Sequence, residues 1–156
     1  MASVKKEESV ADTVSFLLAK LGQLANRRFA DRLAPLGIRP RHCAVLELLT
    51  SPPKAQLELA TAIGVTPSVV VDMLDELEQI DAIRRVRDRA DRRRQLIELT
   101  PAGHRLRRRA LALARETDDS LLDGLDSTQA AALRAGLQRI ADTTAELATQ
   151  AHMRST

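Results

Sequence analysis

The run I-R-R-V-R-D-R-A-D-R-R-R-Q-L-I-E-L-T, from Ile83 to Thr100, constrains this chain more than any other stretch. It places Arg84, Arg85, Arg87, Arg89, Arg92, Arg93 and Arg94 within eleven positions. Apolar residues suited to a β-pair flank it: Ile83 and Val86 before, Leu96, Ile97 and Leu99 after. A short hairpin with an arginine-loaded tip fits a nucleic-acid groove, because guanidinium groups are always charged and weakly hydrated. A solvated, salt-bridged surface loop would account for the same residues.

The charge distribution separates these two readings. Between Ala82 and Arg109 eleven arginines face Asp88, Asp91 and Glu98, a local balance of +8 in a chain of net charge +3, so the remainder carries −5. An acidic body with one basic stripe is the electrostatic footprint of a phosphate-binding face. At 156 residues the chain is long enough for one domain, with or without an appended oligomerisation element. Phe16 and Phe29 are its only aromatics, which argues against recognition of single strands by base stacking. A lone cysteine, Cys43, excludes an intrachain disulfide and a cysteine-based zinc cluster. His42, His104 and His152 share no metal-ligand spacing, and neither a Ser-His-Asp arrangement nor a phosphate-binding glycine loop stands out. The expectation is therefore no metal, no cofactor and no catalytic residue. With no apolar stretch of membrane-spanning length and no signal-like start, a cytoplasmic location without membrane contact is expected.

Along the chain, residues 1–11 are polar and read as a flexible N-terminus. Phe16, Leu17, Leu21, Leu24, Phe29 and Leu33 recur at helical spacing until Pro35 and Gly37 end the pattern. A second helix starts at Pro40 and buries Ala44, Val45, Leu48 and Leu49; Ser51-Pro52-Pro53 is a turn. A short helix from Gln56 ends at Gly64, and Thr66-Pro67 starts the next as N-cap and first residue. Val70, Met73, Leu74 and Leu77 form its inner stripe. Two helices across a tight G-V-T turn fit a helix-turn-helix or any αα-hairpin; the basic hairpin that follows favours a winged helix. Thr100-Pro101 opens a helix that runs past Leu121, Gly124 interrupts it, and Asp126 or Ser127 caps the last one. Its stripe of Leu133, Leu137, Ile140, Thr144 and Leu147 is long for a helix on a small domain, and is expected to pack on the first helix and a second copy of the chain.

Four ordered pieces carry a family resemblance: P-L-G-I-R-P-R-H-C-A-V-L (35–46), L-E-L-A-T-A-I-G-V-T-P-S (57–68), L-D-E-L-E (74–78), and D-R-R-x-x-x-x-x-L-T (91–100) followed by P-A-G. In these the chain resembles the MarR family of dimeric winged helix-turn-helix regulators, from about Val14 to Leu147. The resemblance implies a mainly α fold, α+β in its winged helix. Residues 12–156 would form one domain, with a DNA-binding lobe at 38–100 and dimerisation helices at 12–34 and 101–150. It further implies a homodimer on a pseudo-palindromic duplex, acting as a repressor and released by a small anionic or phenolic effector. Thr66, Pro67, Ser68, Val69 and Asp72 would face the major groove. Arg39, Arg41, His42 and Lys54 would lie beside phosphates, and Arg87, Arg89, Arg92 and Arg93 would serve the wing, with Arg89 and Arg92 at the minor groove. Asp88 and Asp91 would brace the hairpin, where Arg93 is a possible partner. The sequence departs from the family in three places. Asp81 replaces the usual glycine before the wing and Ala55 a capping serine, while Cys43 stands where an aromatic residue often lines the effector pocket. His42 and Cys43 are the candidate ligand or redox residues. The alternatives left open are a ligand-independent DNA binder, a thiol-based regulator using Cys43, and a helical module whose arginines meet an acidic protein.

Overall fold

The computed structural model describes residues 9–50 and 52–154, with side chains given through residue 145. Ser51 of the predicted turn, residues 1–8, and the side chains of Leu147 and His152 lie outside the described residues. Six α-helices and three short strands follow in the order α1 (Val14–Leu33), α2 (Pro40–Leu48), β1 (Lys54–Ala55), α3 (Gln56–Ile63), α4 (Pro67–Gln79), β2 (Ile83–Arg87), β3 (Gln95–Leu99), α5 (Pro101–Leu121) and α6 (Ser127–Arg154). The expected fold is therefore present: mainly helical, with a small antiparallel sheet.

The described chain begins with a short turn before α1. A 3-10 turn covers Val10–Asp12; the Ser9 hydroxyl accepts from the Ala11 N–H, and the Thr13 hydroxyl donates to the Val10 carbonyl at 2.7 Å before α1 starts. The sheet also holds a strand with no alternating pattern to announce it. Two-residue β1 pairs with β3 (Lys54↔Ile97, Ala55↔Leu96), and β3 pairs with β2 from Ile83↔Leu99 to Arg87↔Gln95, giving the order β1-β3-β2.

Helices α3 and α4 turn through 110°, inside the range of helix-turn-helix units. Gly64 makes the corner, at φ 76, a left-handed conformation that costs glycine least. The core is aliphatic: Leu33, Val45, Leu46 and Leu49 from α1 and α2, Leu59 from α3, Val70, Met73, Leu74 and Leu77 from α4, and Ile83, Ile97 and Leu99 from the sheet. Burying a side chain of this size contributes roughly 1.5–3 kcal/mol, so the inner stripe of α4 fixes which of its faces remains outside.

The junction between α4, the wing and α5 explains the L-T-P-A-G piece. Asp81 takes φ 56, the left-handed turn that aspartate tolerates better than most residues. The Thr100 hydroxyl donates to the Asp81 carbonyl at 2.5 Å and accepts from Gly103 N–H at 3.0 Å, while Thr100 N–H donates to the Ala82 carbonyl at 3.1 Å. Gly103 packs so tightly on this turn that an added Cβ would overlap the Ala82 carbonyl oxygen.

The chain divides into two compact units, one ending at Thr117 and one beginning at Asp118. In the first, Phe16, Leu17, Leu18 and Leu21 on α1 are exposed. In the second, Asp126 is the cap: its carboxylate accepts from Gln129 N–H at 2.9 Å and the Gln129 side chain accepts from Asp126 N–H at 3.0 Å. On α6, Leu133, Leu137 and Ile140 are exposed, at 43, 42 and 52%.

Candidate nucleic-acid interface

The structure divides the seven wing arginines into two groups that the sequence left mixed. Arg84 of β2 pairs across the ladder with Glu98 of β3 through its Nε at 2.6 Å, Arg85 reaches back to Asp75 (2.5 Å) and Glu78 of α4, and Arg94 meets Glu58 of α3 at 3.3 Å. Arg87, Arg89, Arg92 and Arg93 are exposed and, among the described residues, hold no ion pair. Held arginines thus fasten the hairpin to α3 and α4, while the unpaired ones project around its tip.

Asp88 and Asp91 shape that tip by a route the sequence did not give. The Asp88 carboxylate accepts from Ala90 N–H at 2.8 Å and the Asp91 carboxylate from Arg93 N–H at 3.0 Å. Short acidic side chains commonly bond the backbone two residues on. The brace at Asp91 is therefore the Arg93 main chain, and the Arg93 guanidinium stays outward.

On α4, Thr66, Pro67, Ser68 and Asp72 are exposed around the start of the helix. Thr66 occupies the N-cap position but makes no capping bond with its side chain; its hydroxyl meets that of Ser68 at 3.1 Å. Val69 departs from the predicted groove face, since it is half-buried and packs on the core next to Val70. At the start of α3, Ala55 cannot cap with its side chain, and Glu58 compensates by accepting from Ala55 N–H at 2.8 Å. Lys54 is half-buried in β1 and, among the described residues, has no ion pair.

Arg39, Arg41 and His42 converge on a residue the sequence gave no reason to single out, Glu76. Its carboxylate accepts from Arg39 (2.5 Å to Oε1) and Arg41 (2.9 Å), and His42 Nε2 lies 2.8 Å from Oε2. The Arg39 hydrogen bond, with the charges of Arg39, His42 and Arg41, holds the Glu76 carboxyl below its ordinary pKa. His42 is 1% exposed, which corrects its placement at the surface beside phosphates. Its Nδ1 accepts from Arg39 N–H at 3.0 Å, closing the open end of α2. Burial, the largest influence, lowers its pKa, with Arg41 and Arg39 acting in the same direction and Glu76 against them.

Between α1, α2 and α5 lies a largely apolar cavity of about 190 Å³, lined by Phe29, Cys43, Leu46, Arg107, Ala110 and Leu111 among others. Arg107 donates to Glu47 at 2.8 Å, and its buried Nε has no hydrogen-bond partner among the described residues. Burial pushes the Cys43 thiol up to about 11, away from the thiolate that redox sensing requires. Among the described residues, no three His, Cys, Asp or Glu side chains group as metal ligands, and no single helix is long and apolar enough to cross a membrane.

The sequence profile of the MarR family matches residues 39–94, the whole helix-turn-helix and most of the wing. A MarR-family transcriptional regulator from Rhodococcus sp. RHA1 is 31% identical, with a TM-score of 0.75 over 86% of this chain and 98% of its own. The chain belongs to the MarR family. CouR from Rhodococcus jostii RHA1, solved with p-coumaroyl-CoA, is 32% identical over 86% of this chain and 96% of its own, with a TM-score of 0.70. The transcriptional repressor CouR bound to a 23-mer DNA duplex aligns at 30% identity and a TM-score of 0.75 over 89% of this chain and 99% of its own. MarR-family members are DNA-binding transcriptional regulators rather than enzymes, and this chain is one of them.

Proposed function

We propose that this MarR-family regulator is a homodimeric, sequence-specific repressor released from DNA by a small acid. In this reading α4 enters the major groove, with Thr66, Pro67, Ser68 and Asp72 toward the bases and Val69 at the margin. Arg87, Arg89, Arg92 and Arg93 serve the minor groove and flanking phosphates, Lys54 contributes from β1, and Arg39 and Arg41 border the reader helix. The observation that carries it is the division of the wing arginines. Four exposed guanidinium groups, without ion pairs among the described residues, surround a tip whose base is anchored by Arg84, Arg85 and Arg94.

Dimerisation through 12–34 and 101–150 is supported by the apolar side chains left exposed along α1 and, separately, along α6, since an apolar helix face needs a partner to cover it. Two reader helices related by a twofold axis would meet half-sites about one helical turn, roughly 10 bp, apart. The cavity beside Phe29 and Cys43 supports an effector with an apolar body; an anionic group on it would take Arg107 from Glu47, which also lines the cavity. Its volume, below the roughly 300–1,000 Å³ of drug-sized sites, favours a single-ring acid. A relative solved with p-coumaroyl-CoA lends weight to ligand response. A gel shift on the DNA upstream of the chain's own gene, with and without hydroxybenzoates, tests the reading. Retention of a specific duplex that is lost on adding the acid supports it, and equal retention of every duplex overturns it.

A further inference from the structure

Helix α4 is acidic. From Thr66 to Glu78 it carries Asp72, Asp75, Glu76 and Glu78 and no lysine or arginine. A polyanion repels such a helix unless its charges are matched, and three of the four are. Asp75 and Glu78 share Arg85, and Glu76 holds Arg39 and Arg41. Asp72 is different: it is exposed and, among the described residues, holds no ion pair. It lies one turn after Ser68, on the ridge that continues to Asp75 and Gln79, opposite the buried stripe of Val70, Met73, Leu74 and Leu77. The helix thus has three of its carboxylates neutralised, Asp75 on the outer ridge among them, and leaves Asp72 bare on its outer face.

A bare carboxylate near phosphates lowers affinity for all DNA, and it is compensated only where it accepts a hydrogen bond from a base. Cytosine presents its N4 amino donor to the major groove. Guanine and thymine present acceptors there, and adenine couples its N6 donor to an N7 acceptor that a carboxylate cannot satisfy. We propose that Asp72 is a specificity-determining residue that accepts from the N4 amino group of a cytosine in each half-site. This rests on the reading of α4 as the helix that enters the major groove. Asp72 then acts largely by rejection, since guanine and thymine offer its charge no donor and adenine offers N6 only beside an N7 acceptor that the carboxylate leaves unpaired.

The test is selection from a random-duplex library by the full chain and by Asp72→Ala and Asp72→Asn, followed by affinities for the selected duplex and for its copy with that C·G pair replaced. The parent should enrich a symmetric pair of cytosines and lose roughly tenfold or more on replacement. Asp72→Ala should bind both duplexes within about threefold of each other, and bind random DNA more tightly at low salt. Asp72→Asn should move the preference toward adenine, whose N6 and N7 an amide satisfies together. Undiminished cytosine preference in Asp72→Ala, or parental sites without that cytosine pair, would overturn the inference alone. A parent that enriches no sequence would instead overturn the sequence-specific reading, and the inference with it.

Discussion

Replacing Glu76 by Gln removes one charge from the point where Arg39, Arg41 and His42 meet, with almost no change of shape. The pairs are partly exposed, with side-chain exposures of 55% for Arg39, 39% for Arg41 and 36% for Glu76. Exposed ion pairs contribute about 0.2–1 kcal/mol each, and glutamine keeps one accepting oxygen, so the loss of stability should be about 1 kcal/mol. The loss should shrink toward zero in 1 M salt, where the screening length is about 3 Å. The Glu76 pKa is depressed in the fold, so the charge stabilises above the unfolded value and its contribution fades as pH falls below the ordinary 4.5. Urea denaturation of parent and variant at two salt concentrations and at pH 7 and 4 reads each of these. DNA binding should move the other way, because Glu76 competes with phosphate for two guanidinium groups. Affinity should rise, and the log–log salt slope should steepen by about 0.9 for each arginine that gains a phosphate. Weaker binding with an unchanged slope would refute this competition.

Gly103→Ala should cost about 3 kcal/mol, because its Cβ would overlap the Ala82 carbonyl and disturb the Thr100 bonds to Asp81 and Gly103. For a chain of this length that is a fall in Tm of roughly 6–12 °C, and a melt within 2 °C of the parent, roughly a 1 kcal/mol effect or less, would contradict the close packing. Cys43, with its thiol pushed up to about 11, should react with iodoacetamide at pH 7.5 about 100-fold more slowly in the native chain than in the denatured one. Comparable rates would contradict its burial and revive the thiol-based alternative.

The backbone plan was legible wherever local rules decide it. T-P pairs start α4 and α5, Gly64 turns the helix-turn-helix, and helical spacing marks the inner stripe of α4. That Asp81 stands where the family usually has glycine came from the resemblance instead, and its φ of 56 is the left-handed conformation such a position takes. Strand β1 was not legible, because two residues carry no alternation and only β3 beside them makes them a strand. The allocation of the arginines also lay beyond local rules. Arg39 and Glu76 are 37 positions apart, and Arg94 and Glu58 are 36 apart, so only tertiary packing brings those charges together. His42 misled for a related reason: a histidine at a helix start reads as polar surface, yet its ring is buried and bonds the backbone of α2. The arginine-rich tip was conspicuous in the sequence, whereas the one bare carboxylate on α4 emerged only after its three neighbours were seen to be paired.

If the unpaired tip arginines bind DNA, a salt titration of affinity for the Arg89→Ala, Arg92→Ala double variant will show it. On both a selected and a scrambled duplex the variant should bind more weakly by a similar factor. Its log–log salt slope should be shallower by about 0.9 for each phosphate no longer neutralised, and by less for an arginine that sat in the minor groove. A double variant that binds both duplexes with the parent's affinity and slope would show that the arginine tip is only a solvated loop.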